Sequence, residues 1–287
     1  MRSSSSPVSV FSLVCMFLAL VVASPEANAR QSDKRGGGKQ LEVESPPRLV
    51  VFSKTAGFRH SSIPSGVVCI KELATELGFE VVATEDSSVF TAEGLRGVSV
   101  VVFLNTTGDV LAPAEEEAFE SWFREGGGWL GIHAAADTEY DWPFYGELVG
   151  AYFKSHPPIQ PAVVVVEDRD HPSTRMLPGL WRRQDEWYTY RMNPRPNVRV
   201  LASVDEATFV GGGMDGDHPI AWCHELGAGR SLYTGGGHTD ESYSEPAFRD
   251  HLRGGLRWVA RQADDPKAAT AVEPEAGKAD LVNDPES

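Results

Sequence analysis

Three histidines stand one to a loop, each just after a stretch that reads as a strand: His60 in Gly57-Phe58-Arg59-His60, His133 in Gly131-Ile132-His133-Ala134-Ala135, and His238 in Gly235-Gly236-Gly237-His238-Thr239. Loops at the carboxyl ends of separate parallel strands converge on one crevice, so side chains far apart in sequence can meet there. Imidazole titrates near neutral pH and is also a metal ligand, so convergence would make proton transfer or metal binding available. The turn after the fourth strand adds a carboxylate, Asp137. Taken singly, each histidine is equally well a turn or core residue, and only the repetition of the placement argues otherwise.

The turn Gly131-Ile132-His133-Ala134-Ala135 has the form of a strand-to-helix elbow, where small neighbours permit a sharp bend and the central side chain is expected to face solvent. Its central residue is His rather than Ser or Cys, and neither Cys69 nor Cys223 occupies an equivalent turn, which excludes a Cys-dependent amidotransferase. No GxGxxG or GxxxxGK[ST] loop supports a nucleotide, and no HExxH or paired CxxC marks a metal on its own.

Four strands must hold these loops: Arg48 to Phe52, Phe79 to Thr84, Val98 to Leu104 and Trp129 to Ile132. Helices are expected between them, from Ser61 or Ser62 as N-cap to Leu77, and from Pro113 to Glu125 with Gly126 as breaker. The alternation specifies βαβ units and a mostly parallel sheet with helices on both faces. Further strands are expected at Ala162 to Glu167, Val198 to Val204, Ile220 to Cys223 and Arg230 to Thr234, the last two as a hairpin that makes one edge mixed. An amphipathic helix over Pro246 to Arg261 closes the pattern. His171 before Pro172 and His251 on that helix read as a turn residue and an exposed position.

The ends differ in character. An apolar run from Val8 to Ala23 followed by Ala27-Asn28-Ala29 reads as a signal peptide over 1–29, so the chain is expected to be secreted or periplasmic, with no membrane span after cleavage. Residues 30–47 read as a flexible leader, 48–262 as the folded domain, and 263–287 as a disordered acidic tail. The formal net charge of −15 repels phosphate backbones and argues against nucleic acid. Cys69 and Cys223 are either a pair or two buried thiols.

Several separated motifs now resemble one family, the trehalose-utilisation (ThuA-like) family, whose fold is similar to that of class I glutamine amidotransferases. They are Lys54-Thr55-Ala56-Gly57-Phe58-Arg59-His60-Ser61-Ser62-Ile63, Gly127-Gly128-Trp129-Leu130-Gly131-Ile132-His133-Ala134-Ala135-Ala136-Asp137 and Gly150-Ala151-Tyr152-Phe153-Lys154-Ser155-His156-Pro157. Asp185-Glu186-Trp187-Tyr188, Pro219-Ile220-Ala221-Trp222, Gly227-Ala228-Gly229-Arg230 and Gly236-Gly237-His238-Thr239 complete them. The match covers about Arg48 to Arg261 and departs only where Gly235-Gly236 replaces a usually larger residue. The resemblance implies a three-layer flavodoxin-like fold and a role in sugar metabolism. By motif match it also implies a polar pocket of His60, His133, Asp137, His156, Glu186 and His238, with Arg59, Trp187 and Tyr188 as wall.

Two kinds of chemistry suit such a set. As a carbohydrate enzyme acting by acid-base chemistry on a glycoside, disaccharide or keto sugar, it would use Asp137 and Glu186 as a carboxylate pair, or His133 or His238 as a base beside a carbonyl. His60, His156 and Arg59 would bind substrate, and Trp187, Tyr188, Tyr190 and Trp142 would offer stacking surfaces. Alternatively His60, His133 and His238 hold a divalent metal, with Asp137 or Glu186 completing the set. A non-catalytic sugar-binding protein is the third reading. The expected partner is a small-molecule carbohydrate.

Overall fold

The computed structural model describes residues 46–264. The expected signal peptide, leader and acidic tail lie outside these residues apart from a few positions at the two borders. Among the described residues no helix is long and apolar enough to cross a membrane.

The first half folds as its hydrophobic pattern requires. Mostly apolar runs form β1 (Arg48–Phe52) and β3 (Val98–Leu104), which are buried on both faces. Between them lie α1 (Ile63–Glu76) and β2 (Glu80–Thr84). After β3 come α2 (Pro113–Arg124) and β4 (Gly128–Ile132). Pro opens α2, Glu115 in its first turn accepts from the Ala112 N–H at 2.8 Å, and Gly126 at φ +123° ends it. The expected N-cap of α1 is in place at Ser62, but its hydroxyl makes no capping bond. It donates instead to the Gly237 carbonyl at 3.3 Å.

The second half is richer than its sequence pattern. It contains α3 (Pro143–Val149), β5 (Phe153–Ser155), β6 (Gln160–Val166), β7 (Leu180–Asp185), β8 (Thr189–Tyr190), β9 (Arg199–Val204), β10 (Pro219–Leu226), β11 (Gly229–Thr234) and α4 (Pro246–Val259). Nine strands form one sheet in the order β2-β1-β3-β4-β11-β10-β9-β6-β7, while β5 and β8 pair separately. β2, β1, β3, β4 and β11 are parallel neighbours, and every pairing from β11 through β10, β9 and β6 to β7 is antiparallel. The sheet is therefore mixed over half its width, further than an edge hairpin predicts. β10 and β11 are the expected hairpin, closed by Gly227-Ala228 with Gly227 at φ +64°, as Gly at the first position of a two-residue turn permits.

Helices dock where strand alternation puts apolar side chains. Gly255 of α4 approaches Leu130 of β4 and Leu232 of β11. One residue earlier, on the opposite face of β11, Ser231 donates to the Leu148 carbonyl of α3 at 2.6 Å, and Gly229 lies against Phe123 of α2. Both cysteines are free and buried. His171 and His251 are not exposed: each is 2 % accessible. Helix α4 turns His251 inward, where its Nδ1 meets Ser173 Oγ at 2.8 Å, and His171 sits 3.7 Å from Cys223 Sγ.

Candidate active site

β4 and β11 are adjacent, with Ile132 paired to Thr234 at their carboxyl ends, so the turns that follow them are adjacent too. His133 opens a 3-10 turn, His133–Asp137, with φ +50° at the histidine itself. The elbow is thus present in its backbone, but the His133 side chain faces inward rather than to solvent: it is fully buried, with the Tyr188 ring covering it at a centroid distance of 4.2 Å. His60 comes from the loop after β1. That loop is pinned to the residues after β3, since Ala56 N–H donates to the Thr107 carbonyl at 2.7 Å and Thr107 Oγ1 donates to the Phe58 carbonyl at 2.9 Å.

The three imidazoles form a near-equilateral triangle, with ring centroids 5.0 Å (His60 to His133), 5.0 Å (His60 to His238) and 5.1 Å (His133 to His238) apart. Glu186, just past the end of β7, closes the cluster. Its Oε2 lies 3.4 Å from His133 Nε2 and 3.2 Å from His238 Nδ1, and those two nitrogens are 3.1 Å apart. His156 Nδ1 meets the other carboxylate oxygen, Oε1, at 2.9 Å. His60, His133, Glu186 and His238 are close enough to share one metal ion.

Protonation follows from the partners. His133 Nδ1 lies 2.8 Å from the Gly235 carbonyl, which can only accept, so Nδ1 carries a proton and Nε2 faces the cluster. His60 is held down to about 3 by burial, reinforced by His133 and His238, so it is neutral. Its buried Nδ1 has no hydrogen-bond partner. Burial opposes ionisation of Glu186, but hydrogen bonds from His133 and His238 outweigh it and hold the carboxyl near 2. His238 is raised: burial lowers it, and the hydrogen-bonded Glu186 carboxylate more than offsets that.

One carboxylate absent from the sequence-derived set organises the cluster. Asp185 is fully buried and accepts at Oδ1 from the N–H groups of Glu186 (2.9 Å) and His238 (3.1 Å). At Oδ2 it accepts from Gly237 N–H (2.8 Å), Ser242 Oγ (3.1 Å) and Arg183 Nη1 (3.0 Å). It ties the end of β7 to the loop after β11. Asn105 does similar work from the end of β3, its Nδ2 donating to Ser62 Oγ at 3.1 Å and to the Gly237 carbonyl at 3.3 Å. Asp185 stands in the motif Asp185-Glu186-Trp187-Tyr188, where nothing in the sequence alone separates its role from that of Glu186. Asn105 follows a buried strand as the histidines do, which was the available signal.

Other candidates lie apart from the cluster. Asp137 is held by Tyr140, whose hydroxyl donates to Oδ1 at 2.5 Å. Arg59 forms a two-pronged pair with Glu85 at 2.6 and 3.1 Å on the surface. Trp187 is a core residue, fully buried with its indole N–H on the Gln160 carbonyl at 2.9 Å. Trp142 and Tyr190 are also buried, so none of these three offers a stacking face, and Tyr188 is spent covering His133. Other cavities lie away from the cluster. One of about 650 Å³, lined by Trp122, Gly126 and Val259, sits at the opposite ends of the strands.

A family model described as trehalose utilisation, ThuA, matches residues 48–259. The chain belongs to the ThuA family. No curated protein matches its sequence. Among solved structures, a ThuA-like protein from Bacteroides uniformis is 29 % identical at a TM-score of 0.64, over 77 % of this chain and 95 % of that one. A ThuA-like protein from Parabacteroides merdae, 19 % identical, shares the fold at a TM-score of 0.62 over 76 % of this chain and 91 % of its own. A GH42 β-galactosidase from G. stearothermophilus, 13 % identical at a TM-score of 0.51, likewise shares only the fold, over 77 % of this chain and 30 % of that one. The family places this ThuA-like chain broadly in trehalose utilisation.

Proposed function

We propose that this ThuA-like protein is a metal-dependent enzyme acting on a sugar, with His60, His133, His238 and Glu186 as ligands to one divalent ion. The observation that carries this is the triangle of His133 Nε2, His238 Nδ1 and Glu186 Oε2, with edges of 3.1, 3.2 and 3.4 Å. Donors about 2.0–2.1 Å from a tetrahedral zinc ion stand about 3.3 Å apart. Two imidazole nitrogens and a carboxylate that converge so closely suit a cation between them, and His60 brings a further ring nitrogen within reach of the same place. The His133–Gly235 bond is the outer-shell contact that orients a metal-bound imidazole.

Such an ion would polarise a carbonyl oxygen or a water molecule. A Glu186 held near pH 2 cannot serve as a general acid, which disfavours hydrolysis by the Asp137 and Glu186 carboxylate pair and favours Glu186 as an anchor. With His133 and His238 engaged, the proton-transfer role passes to His156, whose side chain is 41 % exposed. Its Nδ1 faces the Pro157 carbonyl and Glu186, so its Nε2 is the free basic atom. Family membership supports a disaccharide such as trehalose or its oxidised, keto form as substrate. We also read the sheet and its helices as the three-layer flavodoxin-like arrangement, and the apolar run before Ala29 as an export signal.

The test is turnover of trehalose and keto-trehalose by chain stripped with a chelator and then reloaded with zinc or manganese. Activity should vanish on stripping and return on reloading. Turnover that chelation leaves unchanged would refute the metal and favour acid-base chemistry by the histidines alone.

A further inference from the structure

We propose that Phe58 is the platform on which one ring of a bound saccharide stacks, which deepens the sugar reading of the site. Among the exposed large apolar side chains of the described residues, Phe58 is the one aromatic, and it is 68 % accessible. Its ring stands edge to face with His60 at a centroid distance of 4.9 Å. His60 in turn lies 5.0 Å from both other imidazoles, so Phe58 borders the ligand cluster directly.

The exposure is built into the loop. Phe58's carbonyl accepts from Thr107 Oγ1 at 2.9 Å, and the N–H of Gly57 reaches both the carbonyl and the hydroxyl of Thr107 at 3.2 Å. A Cβ on Gly57 would stand 3.3 Å from Thr107 Oγ1, so the strap is drawn tight against the residues after β3. On the other side, Arg59 is tied to Glu85 and is not free to cover the Phe58 ring. An aromatic held out in water on a fixed backbone at the edge of a polar cluster presents an apolar face beside hydrogen-bonding groups. That pairing matches a pyranose, which has an apolar C–H face and a polar rim.

Elimination points the same way. Trp142, Trp187 and Tyr190 are buried, and Tyr188 lies between His133 and Phe153, at 4.2 and 4.3 Å, so no face of these rings is free for a ligand. The polar partners at the mouth are His238 and His156, with side chains 20 % and 41 % exposed. A sugar ring lying on Phe58 would turn its hydroxyls toward them.

The experiment titrates the full-length wild type, Phe58→Ala and Phe58→Trp with trehalose, maltose, cellobiose and lactose by calorimetry, with the metal content of each preparation measured alongside. Phe58→Ala should weaken binding of the favoured sugar at least tenfold, and Phe58→Trp should preserve it, with metal content equal in all three. Saturation transfer from aromatic protein protons to sugar C–H groups should be strong in the wild type and absent in Phe58→Ala. Binding of the favoured sugar by Phe58→Ala as tightly as by the wild type would overturn the platform alone. A wild type that holds its metal but binds none of the four sugars would overturn the platform together with the sugar half of the proposed function. Sugar binding that depends on Phe58 in a chain without metal would support the platform and refute the metal.

Discussion

At the scale of single residues, Asp185 is the side chain on which the site's geometry depends most. It accepts the backbone N–H groups of Glu186 and His238, two proposed ligands carried by strands distant in sequence. An amide at this position would aim donors at Gly237 N–H, Ser242 or Arg183, all of which donate to Oδ2. Asp185→Asn is therefore expected to lower metal affinity by about 10–100-fold, as loss of outer-shell contacts does. Competition with a chromophoric chelator measures this, and unchanged affinity in a folded variant would remove Asp185 from the account. His156 makes a separate prediction. His156→Ala should leave the metal bound while reducing kcat about 10²–10⁴-fold, the range for loss of a general base. The three histidine loops were legible in the sequence because each follows an apolar run at the carboxyl end of a strand. Asp185 was not, because a buried acid beside an acid and an aromatic has no spacing that distinguishes it from a surface charge. Trp187 misled for the complementary reason: composition marks a ring as available for stacking, and only the packed structure places it in the core.

At the scale of elements, the parallel half was readable, and in the antiparallel half β6, β9, β10 and β11 stand where strands are expected while β7 is not. β1, β3 and β4 are short continuous apolar runs, a pattern that points to strands buried on both faces. β7, Leu180–Asp185, carries Arg182, Arg183 and Gln184 and alternates between exposed and buried positions, so its charged residues hid it. Helix α3 is only Pro143–Val149, too short for its periodicity to register. Close packing of β4 on α4 gives a prediction here. A Cβ at Gly128 would stand 2.4 Å from the Val259 carbonyl oxygen at the end of α4, and backbone cannot give way as a side-chain tip can. Gly128→Ala should cost about 1–3 kcal/mol by overpacking, a fall in Tm of about 2–12 °C for a chain of this size. Metal content should be unaffected, since the clash lies at the strand end away from His133. An unshifted Tm in a calorimetric scan would show that α4 moves freely over the sheet.

At the scale of the whole molecule, two histidines buried outside the site make the fold sensitive to acid. Burial holds His171 down to about 3, with Arg199 adding to the effect, and it holds His251 down to about 4 against a favourable bond to Ser173. Below pH 6.5 the unfolded chain takes up protons at these groups that the folded chain refuses. Stability is thus fully present above pH 6.5 and is lost as pH falls toward 4. Each histidine contributes at most about 1.4 kcal/mol per pH unit in that window. Urea unfolding at pH 7 and pH 5 should show the loss, and a His171→Asn, His251→Gln double variant should have a flatter profile. A wild type equally stable at both pH values would contradict the neutral, buried assignment.

The most direct measurement of the central claim is the metal content, by mass spectrometry of the elements, of purified chain expressed with zinc and manganese supplied. His133→Ala, His238→Ala double variant is the control, with circular dichroism to confirm that it folds. The account predicts about one divalent ion per wild-type chain and none in the folded variant. No ion in the wild type, or the same content in both, would contradict it and return His60, His133, His238 and Glu186 to a network of proton donors and acceptors.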